Sequence, residues 1–397
     1  MDLFKPPKLY FYRLLLFTLQ PFYVRIFRLH GEGLENVPRE GPLLFVANHS
    51  HLLDPFFIGA VLKRPVFQMA SNEFFRKPLM RRFMWAMGAF PRKKGFVDFK
   101  SIKYAIQVVK RGHPLFIYPE GGRNWDGETL PVLKSTAKLV KLLKVPLVTV
   151  VSRGNYLVYP RWADEKRKSD IEIVFSKPVT FDKSTPDDVI IDHIQRGIDN
   201  NDNYTEREHI SGKKPAGGLT RLLWRCPSCR LLEGLEEING DTIACRGCGK
   251  TWEVNLHCHM REPGGTWRPI KEFADLMFRK DEIVPIETSR DTGETVYLQS
   301  KATTLYNEPR YPRLKKIGTG TLELTSRGLR FVIRKTGEIR FFKFEDIRGR
   351  STERNTFFQI VLDDDIARFE MKSESCYKWE TFYDYVRKKG GFREVGE

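Results

Sequence analysis

The chain has 397 residues, 41% of them hydrophobic and 13% aromatic, which excludes a disordered polymer and exceeds what one core usually organises. Lys and Arg outnumber Asp and Glu by 67 to 50, and the surplus of +17 favours an anionic partner, either a phospholipid surface or a nucleic acid. Two or three domains are expected.

The stretch from Leu9 to Phe27 is dense in Leu, Phe and Tyr but is interrupted by Arg13, Gln20, Pro21 and Arg25. It has no run of about 18 apolar residues, so a membrane-crossing helix is not expected. Nor does it read as a signal peptide, because it leads straight into His30-Gly31-Glu32-Gly33 without a small-residue cleavage site. Residues 1–30 therefore read as one or two short helices, broken at Pro21, lying in a membrane interface with aromatics at headgroup depth. Packing on the domain's own core is the alternative.

Short apolar runs at Leu43–Ala47, Val66–Ala70, Leu115–Tyr118, Val145–Val151 and Ile171–Phe175 predict strands. Between them, Ile102, Ala105, Ile106 and Val109 recur at helical spacing before Gly112, and Val132, Thr136, Val140 and Leu143 form a second stripe. A further helix is expected with Thr185 as N-cap and Pro186 in its first turn. This alternation predicts an α/β domain with a largely parallel sheet over residues 31–210. Ligands in such folds gather beyond the carboxyl ends of strands, where His49 and Glu120 fall.

Ser211 to Gly218 is polar and glycine-rich and reads as a linker. Cys226-Pro227-Ser228-Cys229 and Cys245-Arg246-Gly247-Cys248 follow, 15 residues apart. Two such knuckles present four thiolates to one Zn²⁺, and a complete set of four thiolates leaves no open position, so a structural zinc ribbon is expected over 219–257. Reduced thiolates favour a cytosolic compartment. Acidic neighbours Glu233, Glu236, Glu237 and Asp241 offset the ribbon's basic residues, which makes nucleic acid an unlikely partner. His257, Cys258 and His259 read as ordinary strand residues rather than a second metal site. Residues 258–300 read as a connecting region. Beyond Thr321, Leu322/Leu324, Leu329/Phe331/Ile333, Ile339/Phe341, Phe358/Ile360/Leu362 and Phe369/Met371 are spaced by two, and a last helix carries Trp379, Phe382, Tyr383 and Val386. Residues 301–397 resemble a mostly-β, pleckstrin-homology-like (PH-like) barrel.

The most informative stretch is Asn48-His49-Ser50-His51-Leu52-Leu53-Asp54-Pro55. A turn entering a helix can fold the Asp54 carboxylate onto one nitrogen of His49, leaving the other to take a proton from an alcohol. A two-metal hydrolase is poorly supplied by eight histidines in the whole chain. The surrounding residues add a resemblance. Asn48-His49 through Asp54, Gly88-Ala89-Phe90-Pro91-Arg92-Lys93, Tyr118-Pro119-Glu120-Gly121-Gly122-Arg123-Asn124 and Val145-Pro146-Leu147-Val148-Thr149-Val150 resemble, in order, the four blocks of the glycerolipid acyltransferases, a family that includes the lysophosphatidic acid acyltransferases.

That resemblance implies an O-acyltransferase acting in phospholipid synthesis or remodelling at the cytoplasmic face of a membrane, peripheral or monotopic. His49 and Asp54 would be catalytic. Arg92, Lys93, Gly121, Gly122 and Arg123 would surround the phosphate of a lysophospholipid or glycerol-phosphate acceptor, and Glu120 in the same block, itself an anion, would orient Arg123 or a substrate hydroxyl or brace the loop. Acyl-CoA or acyl carrier protein would be the acyl donor, and an anionic phospholipid membrane a partner. Gly122 and Asn124 stand where the family usually has Thr and Ser, which loosens the acceptor's identity. The rivals are a catalytically silent lipid-binding adaptor and a zinc-ribbon nucleic-acid-binding protein.

Overall fold

The structure, a computed structural model, describes residues 9–62, 64–92, 99–205, 207–279, 283–288, 294–300, 302–308, 314–353, 355–363 and 365–392. Its first part contains α1 (Leu9–Ile26), β1 (His30–Glu32), β2 (Leu44–Ala47), α2 (Asp54–Leu62), β3 (Phe67–Ser71), α3 (Pro78–Ala86), β4 (Ala89–Arg92), α4 (Phe99–Lys110), β5 (Leu115–Ile117), α5 (Ser135–Leu143), β6 (Leu147–Arg153), α6 (Asn155–Val158), β7 (Glu172–Phe175) and α7 (Asp187–Ile198). The seven strands form one sheet in the order β1-β7-β6-β2-β5-β3-β4. Neighbours pair in parallel except β6 and β7, so the expected parallel sheet is present with β7 and β1 reversed at one side. The short strands β1 and β4 carry no distinct apolar run and were not expected.

Central strand β2 is buried on both faces, which is why it reads as an unbroken apolar run. Phe45 and Ala47 face a layer holding Phe57 and Ile58 of α2, whereas Leu44 and Val46 face Ala105, Val109, Val140 and Ile194 of α4, α5 and α7. Helices on both faces leave the ends of the strands as the places where loops can gather functional side chains.

Two expectations about helices are corrected. α1 is one helix that runs through Pro21 instead of breaking there. Proline removes a single bond, to the carbonyl four residues back, and that residue, Phe17, lies on the exposed side where water can satisfy it. Tyr12 anchors the helix, burying its ring and donating its hydroxyl to the Val66 carbonyl at 3.2 Å. α7 starts one residue later than expected. Pro186 keeps an extended ψ of 146° and occupies the cap position, so Thr185 is not the N-cap, and Asp187 and Asp188 supply negative charge to the first turn.

A small antiparallel sheet follows, made of β8 (Leu235–Glu237), β9 (Thr242–Cys245), β10 (Thr251–Val254), β11 (His259–Arg261) and β12 (Arg268–Pro269), with α8 (Ile270–Ala274) after it. A nine-stranded antiparallel sheet comprises β13 (Glu287–Thr288), β14 (Thr295–Gln299), β15 (Thr303–Asn307), β16 (Lys315–Thr325), β17 (Gly328–Ile333), β18 (Ile339–Lys343), β19 (Gly349–Glu353), β20 (Phe357–Val361) and β21 (Ile366–Glu370). Helix α9 (Cys376–Lys389) packs Trp379 and Tyr383 against Phe358. Gly320 is required where β16 meets β17, since a Cβ there would lie 1.9 Å from the Val332 carbonyl oxygen.

The alternation predicted for this region holds at Leu322, Leu324, Leu329, Phe331, Phe358, Ile360 and Phe369, all buried. It fails on β18, where Ile339 is exposed and Phe342 packs against Phe369 instead. Residues 258–300, read as a connection, contribute β11 and β12 to the small sheet and β13 and β14 to the large one.

The expected linker is not a free tether. Ser211 and Lys168 exchange two backbone hydrogen bonds, of 2.8 and 2.9 Å, Arg167 holds the Pro215 carbonyl at 3.0 Å, and Ala216 is fully buried. One apolar core runs from Trp125, Tyr156 and Trp162 through Trp224, Ile243 and Trp252 to Phe331 and Trp379, so these parts bury each other's surface. Glycines that read as a spacer in sequence serve close packing here.

Candidate active site

Strand β2 ends at Ala47, and the chain turns through residues 48–53 before α2 begins at Asp54. Pro55, in the helix's first turn, favours that start and prevents α2 from extending backward. The turn wraps around the Asp54 carboxylate. Oδ2 accepts from Ser50 N at 3.0 Å, His51 N at 2.9 Å and His49 Nδ1 at 3.0 Å, while Oδ1 accepts from Asn155 Nδ2 at 2.6 Å. Asp54 is wholly buried, and the His49 side chain keeps 19% exposure. The short sequence separation and the helix start thus bring together the pair expected from sequence.

Neighbouring loops fix His49 from three sides. Its ring stacks on Tyr118 with centroids 3.9 Å apart. Its N–H donates to Glu120 Oε1 at 2.5 Å, and its carbonyl accepts from Asn124 N at 3.1 Å. Asn48 ties the end of β2 to β6 through two bonds with Ser152, of 2.8 and 2.9 Å. Asn155, which orients Asp54, lies just beyond β6 and was not singled out in the sequence. Its place after a parallel strand was the available signal.

Glu120 turns inward and braces its loop, one of the roles expected of an anion at this position. Its second oxygen accepts from Leu130 N at 2.7 Å, so the carboxyl staples its own loop to the His49 turn. Burial pushes its pKa up to about 8, against the pull of the two N–H donors. Gly121, with φ of 73°, makes the bend that follows, and a Cβ there would strike Leu133 at 2.8 Å. A Cβ on Gly122 would meet open space.

Arg123 is half-buried in the same loop. Burial lowers its pKa, while Asp54 and Glu73 favour its charge. Among the described residues no carboxylate lies within ion-pair distance of its guanidinium, an arrangement suited to receiving an anion from outside the chain. Arg92 ends β4 in register with Ser71. β4 is separated from β2 by β5 and β3, so three strand spacings, ~14 Å, lie between the backbones of the two strands. Lys93 lies outside the described residues.

His51 is buried against Phe57 and Tyr159. Its Nδ1 accepts from Leu53 N at 2.9 Å, and burial pulls its pKa down to about 4. A neutral ring follows at ordinary pH, which separates its role from that of His49.

A second cluster joins the four cysteines. Cys226, Cys229, Cys245 and Cys248 place their sulfurs within 4.8 Å of one another. Cys226 Sγ lies 3.8 Å from Cys248 Sγ, and Cys229 Sγ lies 3.6 Å from Cys245 Sγ. Tetrahedral coordination at Zn–S distances near 2.3 Å requires sulfurs about 3.8 Å apart, so the donor set and its spacing fit zinc. Ser228 N, Cys229 N and Gly247 N point at these sulfurs from 3.3–3.4 Å and favour thiolates. His257, Cys258 and His259 do not assemble a site. Cys258 is buried under Arg167 Nη1 at 3.0 Å, and His257 contacts the Arg207 carbonyl.

Fold and site together define an α/β domain with a hydrogen-bonded His–Asp pair at the end of its central strand and an arginine that feels the charge of the Asp54 carboxylate. Comparison with known proteins narrows the class: residues 28–153 match the family model described as Acyltransferase. The chain is 26% identical over 187 residues to a chloroplastic 1-acyl-sn-glycerol-3-phosphate acyltransferase of Brassica napus, covering 46% of this chain and 52% of the relative. It is 27% identical over 168 residues to a 1-acyl-sn-glycerol-3-phosphate acyltransferase of Saccharomyces cerevisiae, covering 40% of this chain and 53% of the relative. The crystal structure of the 1-acyl-sn-glycerophosphate acyltransferase PlsC from Thermotoga maritima covers 47% of this chain and 78% of its own, with 21% identity and a TM-score of 0.42. The chain spans about half the length of these curated relatives. The family model and the curated relatives agree with the enzyme class expected from the sequence.

Proposed function

We propose that the chain is an O-acyltransferase that moves a fatty acyl group from acyl-CoA or acyl carrier protein to a hydroxyl of a lysophospholipid or glycerol phosphate. The observation that carries this reading is the 3.0 Å contact between His49 Nδ1 and buried Asp54, at the carboxyl end of β2. Asp54 fixes the tautomer with the proton on Nδ1, so Nε2 carries the basic lone pair. His49 takes the acceptor's hydroxyl proton as the oxygen attacks the thioester carbonyl. A tetrahedral oxyanion forms, then collapses to the ester, and the thiol leaves with a proton. Arg123 receives the acceptor's phosphate, with Gly121 and Gly122 keeping the approach open and Arg92 adding positive charge. The names of the relatives, which act on 1-acyl-sn-glycerol-3-phosphate, support a lysophosphatidate-type acceptor.

The enzyme works at a membrane surface in this reading. α1 exposes Phe11, Leu14, Phe17 and Phe22, and α3 exposes Leu79, Met80 and Phe83 next to Arg81 and Arg82. No helix among the described residues is long and apolar enough to cross a membrane. An apolar face flanked by cations on a chain of net charge +17 supports binding to anionic phospholipid at the cytoplasmic face, where the cysteines stay reduced. The four cysteines hold a structural Zn²⁺ in a ribbon, and the nine-stranded sheet closed by α9 is a PH-like module.

The test is thiol release from acyl-CoA with a panel of lysolipids, comparing wild type with His49→Ala. A fall of ~10²–10⁴-fold is expected in the variant. Equal rates in both proteins remove the mechanism.

A further inference from the structure

We infer that the β19–β20 hairpin and α9 are working parts of the acceptor site, with Arg161 as the positioning residue that holds the Arg123 loop in place. The inference rests on the acyl-transfer reading above and deepens it.

Arg161 is nine-tenths buried between the two halves of the chain. Nη1 donates to the carbonyl of Arg123 itself at 2.9 Å. Nη2 donates to the Thr352 carbonyl at 3.1 Å and also to Thr352 Oγ1, which donates in turn to Glu380 of α9 at 3.1 Å. The guanidinium lies 4.2 Å over the Trp125 ring, and that ring packs on Tyr377 of α9 at 5.0 Å. Asn355, at the tip of the hairpin, donates back to the Arg161 carbonyl. One planar cation therefore joins the acceptor loop to the far sheet by its two ends and its face.

The same hairpin also grips the loop after β3. Arg76 reaches Glu353 at 3.3 Å and Glu308 at 3.1 Å, and Arg368 bonds both carboxylates from behind. β3 and β6 lie on either side of the β2–β5 pair that carries His49 and Glu120. Contacts to loops after both flanking strands therefore make the hairpin straddle the site. Further along the acceptor loop, Lys271 of α8 pairs with Glu128 at 2.7 Å and reaches Asp126 at 3.6 Å. A docking contact needed only for attachment would not have to end on the backbone of the residue proposed to bind phosphate. A carbonyl held there fixes where the Arg123 side chain starts, and a binding group whose support is loosened by about 1 Å holds its ligand less well.

The experiment uses the full chain and two variants, Arg161→Lys, which keeps the charge but loses the fork, and Thr352→Val, which keeps the shape but loses the hydroxyl. With lysophosphatidate and acyl-CoA, each variant is expected to raise the acceptor KM ~10-fold, the loss of a charge-assisted hydrogen bond, with kcat and the acyl-CoA KM changed less than about twofold. Adding Arg161→Lys to Arg123→Ala should cost nothing further, because the two act as one unit. An unchanged acceptor KM, an equal effect on both substrates, or additive losses would each overturn the inference. Amide hydrogen exchange over residues 121–128 is the second readout, and both variants should speed it ~10-fold at unchanged far-UV circular dichroism. If the wild type transfers no acyl group, the functional reading fails while exchange still decides the brace. Exchange identical to wild type in both variants refutes it.

Discussion

Replacing Asp54 by Asn tests the centre of the mechanism with little change of shape. One amide oxygen can still accept from Ser50 N, His51 N and His49 Nδ1, but its NH2 then faces the NH2 of Asn155 at what is now a 2.6 Å contact. Asn155 can relieve this by flipping its amide, because its Oδ1 has no partner to lose. The loss of stability should therefore stay at about 1–3 kcal/mol, the cost of one charge-assisted bond. The catalytic cost is larger. A carboxylate 3.0 Å from the ring stabilises the imidazolium by ~5 kcal/mol at an effective dielectric of about 20, and a neutral amide supplies little of that. Converted at 1.36 kcal/mol per decade, losing more than half of that term predicts a fall in kcat of ~10²–10⁴-fold. The assay is acyl-CoA thiol release under saturating lysolipid, with thermal unfolding measured alongside. A folded Asp54→Asn protein whose kcat lies within threefold of wild type would refute the proton-transfer pair.

Glu120→Gln keeps one acceptor oxygen for two backbone donors, so either His49 N or Leu130 N is left unpaired in a buried site. A destabilisation of ~1–3 kcal/mol in urea unfolding is expected, and a Gln variant as stable as wild type counts against the staple. The pKa of His51 is lowered from 6.5 to about 4, so its contribution to stability is complete above pH 6.5 and is lost as pH falls through 4. His51→Asn should flatten that acid limb, by ~3 kcal/mol at most, in unfolding curves taken between pH 7 and 4. Burial opposes ionisation of Glu353, but the hydrogen bond with Glu73 and the charges of Arg368 and Arg76 outweigh it and hold its pKa down to about 2. The hairpin's grip on Arg76 should thus be complete above pH 4.5 and weaken toward pH 2, and Glu353→Gln should remove that dependence from exchange at residues 72–76. For the cysteine cluster, elemental analysis should find about one zinc per chain, with Cys226→Ser losing the metal and exposing residues 226–248 to protease. Metal-free protein with unchanged protease resistance would argue against a structural ion.

Local features of this protein could be read from the chain alone. Four residues separate His49 from Asp54, and Pro55 marks the helix start that folds one onto the other, so the pair needs no distant partner to form. The cysteine spacing sets the geometry of two short knuckles, and the apolar runs of β2 and β6 mark strands covered on both faces. The remaining features depend on contacts between residues far apart in sequence. Asn48 finds Ser152, Asp54 finds Asn155 and Arg161 finds Thr352 across separations of 104, 101 and 191 residues, and no local pattern encodes such meetings. For Glu120 the sequence leaves several roles open, and packing selects the loop brace because two backbone N–H groups need an acceptor. The glycines from Gly212 to Gly218 read as a tether for the same reason, since composition reports the freedom of a backbone and not what packs against it. Ala216 and Leu219 are buried in a core that joins Trp125, Tyr156 and Trp162 to the small and large antiparallel sheets and α9, and that shared burial, which only the folded structure supplies, sets the β19–β20 hairpin against the acceptor loop.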